Sequence, residues 1–375
     1  RSESSRLLKE AKQAKEKIDL DYVIVDEYQD ISRQRFNLTK ELSQMTDAKI
    51  IAVGDDWQSI YAFADSEIQL FTQFKQEMGY ADILYITNTY RNSQELIDIA
   101  GKFVQENPSQ ITKRLISPKT IKKPVVIFSY NDDVRGSKKR GIKGIREVKA
   151  IQLDNIIGKI VSINKDNQKS ILIIGRYGFD GLNMGNTSLF SFNNETKVLK
   201  SNNYPNANIT FLTVHSSKGL TFDDVIIINA SNEINGFPSQ IQRDPVLDFV
   251  VYDDRSYRYA EERRLFYVAM TRTRNRVFIL TPESKPSEFV IELIKHDNVT
   301  LHGSLKEKTS TSSQKGHKCP MCGYPLQLKE NKTYGLPLYM CSNDSEICDF
   351  MTNDLHGGKN SIKILGGTTT HPLRE

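Results

Sequence analysis

The 375 residues hold 51 Lys and Arg against 46 Asp and Glu, an apolar share of 38%, four Cys and one Trp. That length allows two or three domains of about 100–200 residues with ordinary cores. The longest apolar runs, such as 225–228, are far shorter than the roughly 20 residues of a membrane-spanning helix. The charged stretch Arg1 to Lys17 has no apolar signal core, so an integral membrane protein is excluded and a cytoplasmic one expected.

Residues 20–26 (Leu-Asp-Tyr-Val-Ile-Val-Asp) are a short β-branched run ending in acid. They predict a buried strand with carboxylates at its C-terminal end. A helical pattern follows at 33–45, then a second strand at 49–53 that ends on Gly54-Asp55-Asp56. Further strands are expected at 83–87, 124–129, 171–175, 209–214, 224–229 and 276–280. Helices are expected at 93–106, 147–163 and 260–271. Residues 131–146 and 178–208 have loop composition, and 301–317 has that of a linker. The alternation predicts an α/β fold on a mainly parallel sheet, with ligands at the carboxyl ends of the strands. Basic residues gather at 135–149 and 303–332, as they do where a phosphate backbone is the partner.

All four cysteines lie beyond the linker, at Cys319, Cys322, Cys341 and Cys348. Two thiolate pairs separated by a hairpin-length insert fit tetrahedral Zn²⁺. A module this small buries little apolar surface, so its folding energy is expected to come from the metal. The insert interleaves Lys329 and Lys332 with Tyr334 and Tyr339. That combination suits stacking and backbone contact along a single nucleic-acid strand, and Lys332 and Tyr339 are the expected contacts. The stretch resembles the four-cysteine zinc ribbons of bacterial type I topoisomerases.

Asp26-Glu27-Tyr28-Gln29-Asp30 follows the first strand. A nucleotide-hydrolysing site needs one carboxylate for the hydrated Mg²⁺ and another to orient and deprotonate water. Four further segments follow in order. They are 53–61 (Val-Gly-Asp-Asp-Trp-Gln-Ser-Ile-Tyr), 89–92 (Thr-Tyr-Arg-Asn), 212–220 (Leu-Thr-Val-His-Ser-Ser-Lys-Gly-Leu) and 261–272, which runs into Arg272.

In this order the segments resemble motifs II to VI of superfamily-1 DNA helicases of the UvrD/Rep type, nearest to helicase IV-like members. The resemblance covers roughly residues 20–282. It implies RecA-like P-loop NTPase motor domains and an ATP-dependent 3′→5′ DNA helicase. ATP, Mg²⁺ and Zn²⁺ would be the cofactors. The partner would be DNA, single-stranded or at a single/double-strand junction, and DNA repair is among the processes that use such motors. By that resemblance Asp26 would hold Mg²⁺ and Glu27 would be the general base. Gln58 would sense the γ-phosphate, Tyr90 would stack on adenine, and Arg91 and Arg272 would reach the γ-phosphate. Thr221 stands where relatives carry a ribose-binding Glu, and offers a hydroxyl there. Tyr61 and Phe63 would stack on unpaired bases, and His215 and Lys218 would couple nucleotide to DNA.

No G-x-x-x-x-G-K-[S/T] occurs in the sequence. The expected division is therefore a partial first motor domain at 1–88 and a second at 89–300. A linker at 301–316, the ribbon at 317–352 and a tail at 353–375 follow. A missing N-terminal motor segment would be a further partner, and the chain alone is expected to be inactive. A non-catalytic single-stranded DNA-binding protein, or a truncated helicase remnant, is the alternative.

Overall fold

The computed structural model describes residues 6, 10, 18–62, 66–133, 142–163, 169–241, 257–306, 326–330, 337–341 and 351–352. By packing, the chain divides into Arg1–Lys306 and Glu307–Glu375. Among the described residues no helix is long and apolar enough to cross a membrane.

The first unit begins with β1 (Tyr22–Val25) and β2 (Lys49–Ala52), two parallel strands joined through helix α1 (Arg33–Thr46). Ser32 caps α1 by accepting the Arg35 amide. Short helices α2 (Ile68–Thr72) and α3 (Phe74–Met78) follow, and Tyr28, Ile31, Phe36 and Leu70 form a small core with them. Residues alternate between exposed and half-buried along both strands, so β1 is less covered than a buried strand would be. Residues 83–87 form no regular strand. Among the described residues they join no ladder, Thr87 O accepting only the Ile116 amide at 2.9 Å, and Leu84 stays 90% exposed.

The main sheet has eight strands. In chain order they are β3 (Val125–Tyr130), β4 (Ser170–Gly175), β5 (Phe190–Asn193), β6 (Val198–Ser201), β7 (Asn208–Thr213), β8 (Asp224–Ile227), β9 (Val277–Pro282) and β10 (Val299–His302). Spatially they run β10-β3-β9-β8-β4-β7-β6-β5. The pairs from β10 through β7 are parallel, and β6 and β5 extend one edge as an antiparallel hairpin. Helices cover both faces, so the central strands are apolar on both sides. Val125, Ile127, Leu172, Ile174, Val225, Ile227, Val277 and Ile279 face one core. Their chain neighbours Val126, Phe128, Ile171, Ile173, Ile226 and Phe278 face the other.

Helix α4 (Gln94–Gln105), with Ser93 as its cap, packs on the first face with α8 (Ala260–Met270) and α9 (Glu288–Leu293). Trp57 and Ile60 join that core from the loop after β2. Helix α5 (Ile142–Ile163) covers the second face through Ala150, Leu153, Ile156, Ile157 and Ile160, a helical stripe. Helix α6 (Gly178–Gly185) and the β5–β6 hairpin occupy much of 178–208, where composition suggests a loop. Gly185 permits this packing, because a Cβ there would lie 2.4 Å from that of Phe192. The basic stretch 135–149 is also not one surface patch. Lys149 is buried, bonded to Asn229, and residues 134–141 lie outside the described residues.

In the second unit β11 (Leu326–Glu330), β12 (Pro337–Cys341) and β13 (Met351–Thr352) form an antiparallel sheet.

Candidate nucleotide and nucleic-acid site

The motif segments meet at the ends of strands and the starts of helices. Asp26 and Glu27 leave β1, both exposed. Glu27 has φ 50°, left-handed backbone that a non-glycine residue adopts at some cost. Its amide donates to Asp26 Oδ1 at 2.8 Å. Gln29, fully buried, donates through Nε2 to Glu27 Oε2 and accepts the Asp55 amide through Oε1 at 2.9 Å. It thereby ties the general-base candidate to the loop after β2. Nothing in the linear sequence marks Gln29 for this beyond its place between two acids.

That loop, 54–61, holds Gln58 between two charges. Gln58 Nε2 donates to Asp55 Oδ2 at 2.8 Å, and Arg272 Nη2 donates to Gln58 Oε1 at 3.1 Å. Arg272 follows α8 and is 1% exposed. It also donates to Val268 O at 3.1 Å and Leu220 O at 3.4 Å. Burial first, and then Arg91, lower its pKa to about 10, so it remains cationic at neutral pH. Arg264, on the same helix, donates to Ser59 O at 2.6 Å and fastens α8 to the Gln58 loop.

Arg91 and Tyr90 are exposed, and Arg91 makes no hydrogen bond or ion pair among the described residues. Asn92 fixes the segment by donating to Thr273 O at 2.7 Å and Thr271 O at 3.3 Å. Thr221 is half-buried, between Leu220, whose carbonyl accepts from Arg272, and Phe222, whose amide donates to Arg272 O.

Lys218 and His215 lie on and just after the short helix α7 (Val214–Ser217). Gly219 turns the chain there with φ 79°, a conformation glycine adopts freely. The Lys218 ammonium pairs with Asp30, lies 3.3 Å from Glu27 Oε2 and donates to Gln58 O at 2.9 Å. It also sits 5.2 Å from the Tyr61 ring centroid. Burial raises the Asp30 pKa despite this lysine. Tyr61 donates to His215 O at 3.1 Å, with the two rings 5.9 Å apart. Burial and the Arg176 charge hold His215 down at about 4, so it is neutral at pH 7.

Gln58, Arg272, Lys218 and Glu27 thus form one connected group, with Tyr61 and His215 adjoining it through Lys218. Glu262 and Arg263 of α8 pair elsewhere, with Arg176 and with Glu292. Phe63, Lys332, Cys319, Cys322 and Cys348 lie outside the described residues. Cys341 and Tyr339 are half-buried on β12. Among the described residues no group of three potential metal ligands occurs.

Two protein-family models match parts of the sequence. Residues 2–79 match the UvrD/REP helicase N-terminal domain, and residues 180–284 match the UvrD-like helicase C-terminal domain. Both matches fall within this one polypeptide. It is similar to DNA helicase IV of Escherichia coli (strain K12), 33% identical over 281 residues, 75% of this chain and 36% of that protein. A probable DNA helicase of Mycoplasma pneumoniae is 25% identical over 303 residues, 78% of this chain and 50% of that protein. ATP-dependent DNA helicase Rep of Escherichia coli is 30% identical over 112 residues, 30% of this chain and 16% of that protein. The chain spans half or less of the length of each relative.

Proposed function

We propose that the chain forms the γ-phosphate-facing and DNA-facing part of a UvrD/Rep-type DNA helicase that moves 3′→5′ with ATP. The observation that carries this reading is the connected group Glu27–Lys218–Gln58–Arg272. It joins four separate sequence segments at one place. A reaction that moves a phosphoryl group to water needs a base, a cation that meets developing charge, and a way to feel whether the γ-phosphate is present. Glu27, Arg272 with Arg91, and Gln58 supply these. The donor set fits a hydrated Mg²⁺, because Asp26 and Glu27 are exposed carboxylates at one strand end. Asp26 would hold that ion, which shields phosphate charge when bound. Tyr90, 76% exposed, offers a ring face for a base, and Thr221 offers a hydroxyl.

Lys218 stands between the two activities. It neutralises Glu27 and Asp30 on one side and lies over Tyr61 on the other. A strand stacking on Tyr61, with Phe63 two residues on in sequence, would shift this lysine and change the charge around Glu27. DNA at the opening of a duplex is the partner that such stacking rings suit. The four cysteines bind Zn²⁺ on this reading, and the antiparallel β11–β12 hairpin between the two cysteine pairs supports it. Lys332 and Tyr339 add a second single-strand contact.

The 375 residues contain no G-x-x-x-x-G-K-[S/T] motif, and on this reading the chain alone binds single-stranded DNA without turning over ATP. DNA-stimulated hydrolysis by the purified chain, with Glu27→Gln as control, tests this. Turnover of about 1 s⁻¹ or more that Glu27→Gln abolishes would overturn the statement, since ordinary enzymes run at about 1–10³ s⁻¹. Single-strand affinity indifferent to both salt and Tyr61→Ala would remove the helicase reading.

A further inference from the structure

Lys113 lies outside every motif, in the strap that follows α4. Its ammonium donates to Asp55 Oδ1 and makes an ion pair with Asp56 Oδ1. It also sits 4.9 Å from the Trp57 ring centroid. The Asp56 side chain is fully buried and accepts the Ile111 amide at 2.7 Å, while Trp57 Nε1 donates to Ile111 O at 3.0 Å. The same strap reaches the segment holding Tyr90 and Arg91, because Ser117 Oγ donates to Asn92 O at 2.7 Å.

An ion pair to buried Asp56 alone would be a stability device. The second contact, to Asp55, has a different consequence. Asp55 accepts from Lys113 and from the Trp57 amide through Oδ1, which leaves Oδ2 for Gln58 Nε2. A carboxylate accepts only, so it takes the NH₂ end of the Gln58 amide and turns the carbonyl end toward Arg272. The opposite amide orientation would set NH₂ against a guanidinium and oxygen against a carboxylate. With Asp55 held, one orientation remains.

We propose that Lys113 is a positioning residue for the phosphate-facing pair Gln58–Arg272, acting through Asp55. It rests on the reading that Gln58 and Arg272 face the γ-phosphate, and it adds the group that sets their geometry. It also makes the strap from Lys113 to Ser117, which bonds Asn92, a mechanical link between the Tyr90–Arg91 segment and Gln58.

The test uses ¹⁵N-labelled chain without nucleotide, so its outcome does not depend on whether the chain hydrolyses ATP. Trp57 is the only tryptophan, so its indole N–H reports the fold of the loop as a single resonance. The Arg272 Nε–H, bonded to Val268 O, reports the far end of the relay. Lys113→Met should speed exchange of that hydrogen with water about tenfold, through local loosening, while Lys113→Arg stays near the original rate. In a Gln58→Met background, Lys113→Met should add nothing. Where Lys113→Met loses the indole resonance, Asp55→Asn cuts the same link and leaves the Lys113–Asp56 pair in place. It should speed Arg272 exchange likewise. An Arg272 rate unchanged by Asp55→Asn overturns the proposal. So does an effect of Lys113→Met that persists undiminished in the Gln58→Met background.

Discussion

His215 shows how burial sets the chemistry of a single side chain. Its imidazole is held at about 4 against an ordinary 6.5, by burial first and by Arg176 second. Between those values the unfolded chain takes up a proton that the folded chain refuses. Stability therefore rises with pH from about 4 to about 6.5, and its full value is reached above that window. Chemical denaturation of the chain and of His215→Asn, at about pH 4.5 and about pH 7, checks this. The original chain should lose more stability on acidification than the variant, and equal losses would contradict the prediction. Residues of this kind are visible in a sequence only when they sit in a contiguous string. Glu27, Gln58, His215, Lys218 and Arg272 do, and the sequence singles out each of them as a candidate. Gln29 and Lys113 act through partners 26 and 58 residues away, and no local pattern encodes such a contact. For Lys218, the family resemblance implies a coupling role, but nothing in the sequence encodes its ion pairs with Asp30 and Glu27.

At the scale of elements, alternation of apolar residues predicted strands well where a partner exists. Val125–Tyr130 and Asp224–Ile227 are buried along their whole length. The same kind of run at 83–87 makes no ladder, because periodicity records apolar character and not pairing. The reverse error fell within 178–208. Gly, Asn and Lys suggest a loop there, yet Phe190 and Leu199 anchor a hairpin against the core. The two cases give opposite mutational expectations. Leu84→Ser should change stability by no more than about 0.5 kcal/mol, since the side chain already meets water. Phe266→Ala should cost about 3–5 kcal/mol. Phe266 is fully buried and touches the rings of Phe103, Phe237 and Phe289 edge-on or tilted. Gly185→Val should cost about 1–3 kcal/mol by forcing α6 away from Phe192. Urea denaturation of the three variants measures all of these, and a cost at Leu84 equal to that at Phe266 would refute the burial assignment.

The whole molecule consists of two units, divided at Lys306 and Glu307. The first owes its order to two apolar cores on either face of its eight-stranded sheet and to a smaller one beside β1 and β2. Among its described residues the second has strands of 5, 5 and 2 residues. If Cys319, Cys322, Cys341 and Cys348 hold Zn²⁺, the two units must answer differently to its removal. A thiolate-bound structural zinc supplies roughly 10–16 kcal/mol of apparent binding energy at neutral pH, nearly all of it folding energy. Chelation, or Cys319→Ser, should therefore unfold the second unit alone. Limited proteolysis should then cut beyond residue 306, while the thermal transition of the first unit stays in place. If Lys332 and Tyr339 contact the strand, single-strand affinity should fall with the second unit, because both lose their frame. Tyr339→Ala separates the two causes. It keeps every cysteine, so zinc content should stay at one equivalent while affinity falls by about 1–3 kcal/mol for one lost stacking contact. Freshly reduced protein without zinc would end the metal assignment. Zinc present with affinity unmoved by loss of 317–375 would leave the metal and remove the DNA contact.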